Sequence, residues 1–159
     1  MVEEDEPVFT AEDAIRHACE TRKVSMEHFR LPECIIITYQ RECLEYTRQN
    51  FSAREVDWLH GDSRPLLILD FKGTSIGVFR CFIGAPAAAF VLEEMIACGA
   101  RRFLEVGMAG AIQPNLNLGD ILVVTEAIRD EGTSNHYFSP EVKLESNVME
   151  SIVKPKASS

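Results

Sequence analysis

Residues Arg102–Val124, RFLEVGMAGAIQPNLNLGDILVV, decide how this chain is read. An apolar run, FLEV, enters a bend of small residues at Gly107, Ala109 and Gly110, and a second apolar run, ILVV, follows Gly119–Asp120. Small residues in such a bend let a ligand approach the main chain and its N–H groups. The same residues also suit a tight, purely structural connection. The pattern is not the dinucleotide fingerprint, because GMAGAI does not fit G-x-G-x-x-G and no helix pattern follows it. Glu105 stands two residues before Gly107, placing a carboxylate at the lip of a turn built for close approach.

A second turn of the same kind lies upstream. In FIGAPAAAFVLEEMIACGA (Phe82–Ala100), Gly84 precedes the clearest helix of the chain. Pro86 suits its first turn, the alanines and Leu92–Met95 favour helix, and Gly99 closes it. Phe90, Val91, Met95 and Cys98 are expected to form its apolar face. Free N–H groups at the helix start suit an anion or a sugar hydroxyl, and equally a plain strand-to-helix corner.

The remaining segments give an alternation of strands and helices. Thr10 and Asp13 have capping-box spacing ahead of Ala11, Ala14, Ile15, Ala18 and Cys19. ECIIITY (Glu33–Tyr39) reads as a buried strand, and QRECLEYTRQNF carries Cys43, Leu44, Tyr46 and Phe51 in an approximately helical pattern. RPLLILDF and SIGVFRCFIG flank KGT, a hairpin signal with Gly73 in the turn. RRFLEV and GDILVVTEAI (Gly119–Ile128) are expected strands, and the tail carries a weak helical pattern through Leu144, Val148 and Ile152. The fold class is α/β, a mixed, largely parallel sheet flanked by helices. The domain reading is an acidic N-terminus with a first helix over 1–31, a partial α/β domain over 32–154, and a polar tail over 155–159.

Composition bounds the function. The chain has 159 residues, 46% apolar and 26% charged, with a net charge of −9. That charge argues against nucleic acid or an anionic membrane as partner. No apolar run approaches the ~20 residues of a membrane span, and the acidic start is no signal peptide. Five scattered cysteines without a CxxC pair give no support to a metal site and fit a reducing, cytoplasmic compartment.

Taken together, IGAPAAAFVLEEMIACGARRFLEVGMAGAIQPNLNLGDILVVTEAIRDEGTS resembles the purine-nucleoside and uridine phosphorylase superfamily. The resemblance rests on Gly84, Pro86, Ala87, Ala88, Glu93, Glu94 and Met95, then Gly107, Ala109, Gly110 and Ala111, then Gly119 and Asp120. It is close over 83–137 and weaker over 32–82. It implies a nucleoside phosphorylase-like fold, truncated at its C-terminus, and cleavage of the N-glycosidic bond of a purine or pyrimidine nucleoside. Phosphate attacks the sugar in the phosphorylases and water in the related nucleosidases. The implied partners are a nucleoside, phosphate as co-substrate if a phosphorylase, and further copies of the chain in a homo-oligomer; no cofactor or metal is implied.

The same resemblance places phosphate and ribose against Gly84, Glu105, Gly107, Met108, Ala109 and Gly110. Arg129, Glu131 and Thr133 line the pocket in this reading, and His28 corresponds to a histidine lent to a neighbouring subunit. No residue is singled out as the catalytic group. The chain departs from the family at Glu105, where bacterial uridine phosphorylases carry a phosphate-binding arginine, and at Met108, where the family has threonine or serine. TYQRE (Thr38–Glu42) replaces an early glycine loop, which leaves Arg41 as the best remaining cation. A carboxylate ~4 Å from a phosphate charge costs on the order of 4 kcal/mol at an effective dielectric near 20. A lost arginine contact adds ~1.5–3 kcal/mol. Glu105 therefore fits a nucleosidase-like site, or a noncatalytic binding or assembly module, better than ordinary phosphorolysis. A solvated or ion-paired strand-end acid, with Arg101 or Arg102 as partner, is the structural alternative.

Overall fold

The computed structural model of the protein describes residues 8–61 and 63–139. They divide into two units, Met1–Met108 and Ala109–Ser159. The weak helical pattern of the tail lies outside the described residues.

The first unit is organised by the two-residue period of its strands. Strand β1 (Cys34–Thr38) is an interior strand of a five-stranded sheet. It pairs parallel with β4 (Thr74–Arg80) and with β5 (Arg102–Val106). The sheet continues antiparallel from β4 to β3 (Leu66–Phe71) and from β3 to β2 (Arg54–Val56), giving the order β2-β3-β4-β1-β5. Successive side chains alternate between faces. Ile35, Ile37, Leu66, Ile68 and Phe79 accordingly enter one core, while Ile36, Leu67, Leu69 and Val78 enter a second.

The first core is closed by α1 (Ala11–Arg22) and α3 (Ala85–Ala97), through Ile15, Cys19, Val91, Met95 and Cys98. The second is closed by α2 (Arg41–Asn50), through Leu44. Each fully buried aliphatic side chain contributes roughly 1.5–3 kcal/mol, so these rows are what hold the layers together. The result is a mixed sheet between helices, as the order of elements predicts.

Local chemistry sets the ends of these elements. Thr10 Oγ1 accepts from the Asp13 N–H at 3.2 Å while the Asp13 carboxylate accepts from the Thr10 N–H at 3.1 Å, completing the expected capping box of α1. The β3–β4 hairpin turns on Lys72 and Gly73, both at positive φ (53° and 80°). Such a two-residue turn matches the twist of its strands.

Two expectations are corrected. Phe90 is half exposed, and Glu94 is buried in its place on α3; the apolar face is Val91, Met95 and Cys98. The helical pattern of α2 stands, with Leu44 and Thr47 buried and Tyr46 and Phe51 exposed. No strand forms over Gly119–Ile128, where only Glu126 makes an isolated bridge and Ile121, Leu122, Val124 and Ile128 are exposed. Strand-forming residues make a strand only when their N–H and C=O groups find a partner ladder, and among the described residues this run has none. The short strand β2 and a 3₁₀ turn over Met26–Phe29 were not anticipated.

Candidate active site at the strand exits

The register of the sheet brings three chain exits level. Thr38 pairs with Arg80 on one side and with Val106 on the other. The next residues, Tyr39, Cys81 and Gly107, therefore leave the sheet side by side at the carboxyl edge. In α/β sheets this edge is where ligands bind. Buried Thr38 fixes one exit: its carbonyl accepts from the Cys81 N–H at 2.8 Å, and its hydroxyl donates to Gln40 Oε1 at 3.1 Å.

Glu105 sits on β5 one residue before the exit, opposite Ile37. Its side chain is exposed on the sheet, and its carboxylate lies close enough to the Tyr39 phenol to act on its ionisation. Burial of Tyr39, followed by the charge and hydrogen bond of Glu105, pushes the phenol pKa from 10.0 up to about 12. The Tyr39 ring also lies beside Gly107, where a Cβ would come within 3.9 Å of it. Cys81 is held above the usual thiol range, chiefly by burial, with the Glu105 carboxylate adding to the effect. A thiol kept protonated in this way is a poor nucleophile.

Neither neighbouring arginine serves Glu105. Arg102 pairs with Glu33 at 3.2 Å, and Arg101 donates to the carbonyls of Ile96 and Ala100, each at 2.7 Å. The partner of Glu105 is the tyrosine at the neighbouring exit.

Gly84 opens α3 with φ +114°, ψ 142°, a conformation essentially reserved for glycine. Nothing lies within 4 Å of where its Cβ would stand, so the backbone is open to approach. Met108 ends this unit with its side chain exposed. Arg41 begins α2 directly after the β1 exit, and its Nε donates to Glu45 at 2.8 Å. His28 lies elsewhere in the unit: its Nε2 is 3.2 Å from Asp57 Oδ2, in a groove shared with Glu27, Arg54 and Glu55.

Ala109 and Gly110 belong to the second unit, where they line a concavity with Leu116, Asn117, Gly119 and Leu122. Within that unit Arg129 organises a short turn at Thr133–His136, donating to Ser134 Oγ at 2.9 Å and to the carbonyl of Phe138 at 2.9 Å. Glu131 accepts from the N–H groups of Thr133 and Ser134, and these hydrogen bonds hold its carboxyl below the usual range. The trio Arg129, Glu131 and Thr133 thus forms one hydrogen-bonded segment. Among the described residues, no three His, Cys, Asp or Glu converge as a metal-holding group, and no helix is long and apolar enough to cross a membrane.

Tyr39 and Cys81 were not anticipated as members of this edge. Their signal is positional: each is the first residue after a parallel strand, which becomes visible only once the pairing is known.

Comparison with known proteins follows the same segments. A family model described as the phosphorylase superfamily matches residues 35–157. Uridine phosphorylase of Thermococcus kodakarensis is 44% identical over 71 residues, 45% of this chain and 26% of that protein. Uridine phosphorylase of Haemophilus influenzae is 40% identical over 76 residues, 48% of this chain and 30% of that protein. Guanosine phosphorylase of Halorubrum lacusprofundi is 39% identical over 71 residues, 45% of this chain and 30% of that protein. The crystal structure of uridine phosphorylase from Vibrio fischeri superimposes with a TM-score of 0.67 at 26% identity, covering 75% of this chain and 49% of that one. The chain thus spans about half the length of that structure, and the sequence matches span less than a third of the curated relatives.

Proposed function

The chain belongs to the phosphorylase superfamily, and from that premise we propose that it carries part of a site for N-glycosidic cleavage of a purine or pyrimidine nucleoside. The observation behind this is the level strand exits, with Gly84 and Gly107 presenting bare backbone at the carboxyl edge. In phosphorolysis a phosphate oxygen forms a bond to the anomeric carbon as the bond to the base breaks. The base leaves with the electron pair and takes up a proton, giving sugar 1-phosphate. The gain comes from holding the nucleophile under the sugar while charge develops.

In this reading Gly84, Gly107 and Met108 are the first unit's contacts to ribose and nucleophile, with Arg41 the candidate cation, while Ala109, Gly110, Arg129, Glu131 and Thr133 are candidate ligand contacts of the second unit. His28 is presented to a neighbouring copy in a homo-oligomer. The protein acts in a cytoplasmic compartment and needs no cofactor beyond phosphate. The 159-residue chain by itself binds nucleoside without turning it over.

One observation favours a second reading, a phosphate-independent nucleosidase or a noncatalytic nucleoside-binding module. An exposed carboxylate beside the Tyr39 phenol stands at the turn lip, where it can accept hydrogen bonds and repels an anion. Glu105 then orients water or a ribose hydroxyl.

The test uses uridine and inosine with and without inorganic phosphate, following released base and, by calorimetry, binding. Binding without release supports the proposal, and binding that phosphate does not strengthen favours the second reading. Release above a heat-killed control overturns the impairment. Absence of both binding and release removes the nucleoside site.

A further inference from the structure

We propose that His60 is a positioning residue for the loop that carries Gly84, which it grips through a buried bond to Glu94 and an edge contact with Phe82. The role in ligand binding rests on the reading of the Gly84 loop given above; the mechanical role does not.

His60 lies in the connection between β2 and β3. Its Nε2 is 2.7 Å from Glu94 Oε2, and the Glu94 side chain is only 6% exposed. A carboxylate at such depth on α3 needs a partner, because removing one member of a buried pair leaves an uncompensated polar group. An apolar residue of similar size would fill the space without that demand. The pair therefore constrains where the β2–β3 connection sits on α3 more than it adds to stability.

The constraint is passed to the strand exits by aromatic contacts. The His60 ring stands edge-on to Phe82, centroids 5.5 Å apart at 87°, and beside Trp58 and Phe90 at 5.3 and 6.1 Å. From the same connection, the Arg64 guanidinium lies 4.6 Å from the Phe82 ring centre. Phe82 sits between the Cys81 exit and Gly84. The rest of that loop offers little to hold: Ile83 is 87% exposed, and nothing lies within 4 Å of the Gly84 Cβ direction. Phe82 is the anchoring side chain, and His60 and Arg64 are its clamps. Trp58 backs the arrangement from within the core, its indole N–H facing the Cys98 sulfur at a geometry too poor for a full hydrogen bond.

Amide exchange of the full chain tests this directly. The Ala88 N–H, which donates to the Gly84 carbonyl at 2.9 Å, reports the junction of loop and helix. His60→Ala is expected to speed exchange over residues 82–88 by about tenfold while the amides of β1 and β3 hold their rates. His60→Gln keeps an N–H donor for Glu94, so exchange there returns to within about threefold of wild type. Trp58, the single tryptophan, should shift its emission in His60→Ala and not in His60→Gln. If His60→Ala fails to fold, Phe82→Leu removes the aromatic contact without stranding a buried charge and should speed the same segment. Unchanged exchange over 82–88, equal speeding across the whole sheet, or no rescue by glutamine would overturn the proposal. Uridine calorimetry on the wild type is scored separately: its failure sinks the nucleoside reading and leaves the clamp standing.

Discussion

The phenol of Tyr39, at the exit of β1, lies within electrostatic reach of the carboxylate of Glu105 on β5. The resemblance to uridine phosphorylases leads one to expect a positive charge at this place; here a carboxylate stands beside a neutral phenol. A tyrosine in this state releases its proton late. Of the three tyrosines, Tyr39 should ionise near pH 12 in a titration of tyrosinate absorbance. Glu105→Gln should lower that value only part of the way to 10.0, because burial is the largest cause and the charge and hydrogen bond come second. The folded pKa lies above the unfolded one, so the stabilisation is complete below pH 10 and disappears as pH rises toward 12. A Tyr39 midpoint unchanged by Glu105→Gln would show that Glu105 does not act on the phenol.

Restoring a cation at the same position should restore an anion site. Glu105→Arg removes a repulsion and adds a charge-assisted donor. Exposure screens both terms, so about a tenfold gain in affinity for inorganic phosphate is expected by calorimetry. An unchanged affinity would mean that phosphate, if bound, sits away from β5.

Two glycines separate backbone strain from ligand approach. Gly84→Ala meets no steric obstacle but forces φ +114° on a residue with a Cβ, at a cost of about 1–3 kcal/mol in urea unfolding. Gly110 has open space and no positive φ, so Gly110→Ala should leave stability within about 0.5 kcal/mol. A loss of uridine binding in Gly110→Ala would then report contact with ligand.

Gly77→Ala tests the core beneath the site. Its Cβ would lie 2.5 Å from Ile35 Cδ1, the side chain of its registered partner. Ile35 is buried and must turn within a filled layer, so a loss of about 1–3 kcal/mol is expected in the same unfolding assay. No loss would show that the layer has slack.

What could be read from the sequence follows the range of the interactions. The Thr10–Asp13 cap, the Lys72–Gly73 hairpin and the α3 helix depend on neighbours a few residues apart, and each is written in local composition. Strand β2 is three residues long, too short for a pattern, and exists because β3 offers it an edge. Phe90 and Glu94 exchange their expected places because His60, 34 residues away, gives the carboxylate a partner. Glu105 was legible as an anomaly; its answer, Tyr39, was not, since only the β1–β5 register makes the two neighbours. The run Gly119–Ile128 has strand composition without a strand, which shows that propensity without a ladder decides nothing.

Three strands ending on one level, at Thr38, Arg80 and Val106, divide the labour of the chain. Below that level the inward-facing residues of β1, β3 and β4 answer to two packed layers and resist change. At the rim, on the exposed end of β5, a side chain meets little of that packing. Chemistry at this rim can thus be exchanged one side chain at a time on an unaltered scaffold, and Glu105, exposed on β5, is a position where such an exchange leaves the packed layers untouched.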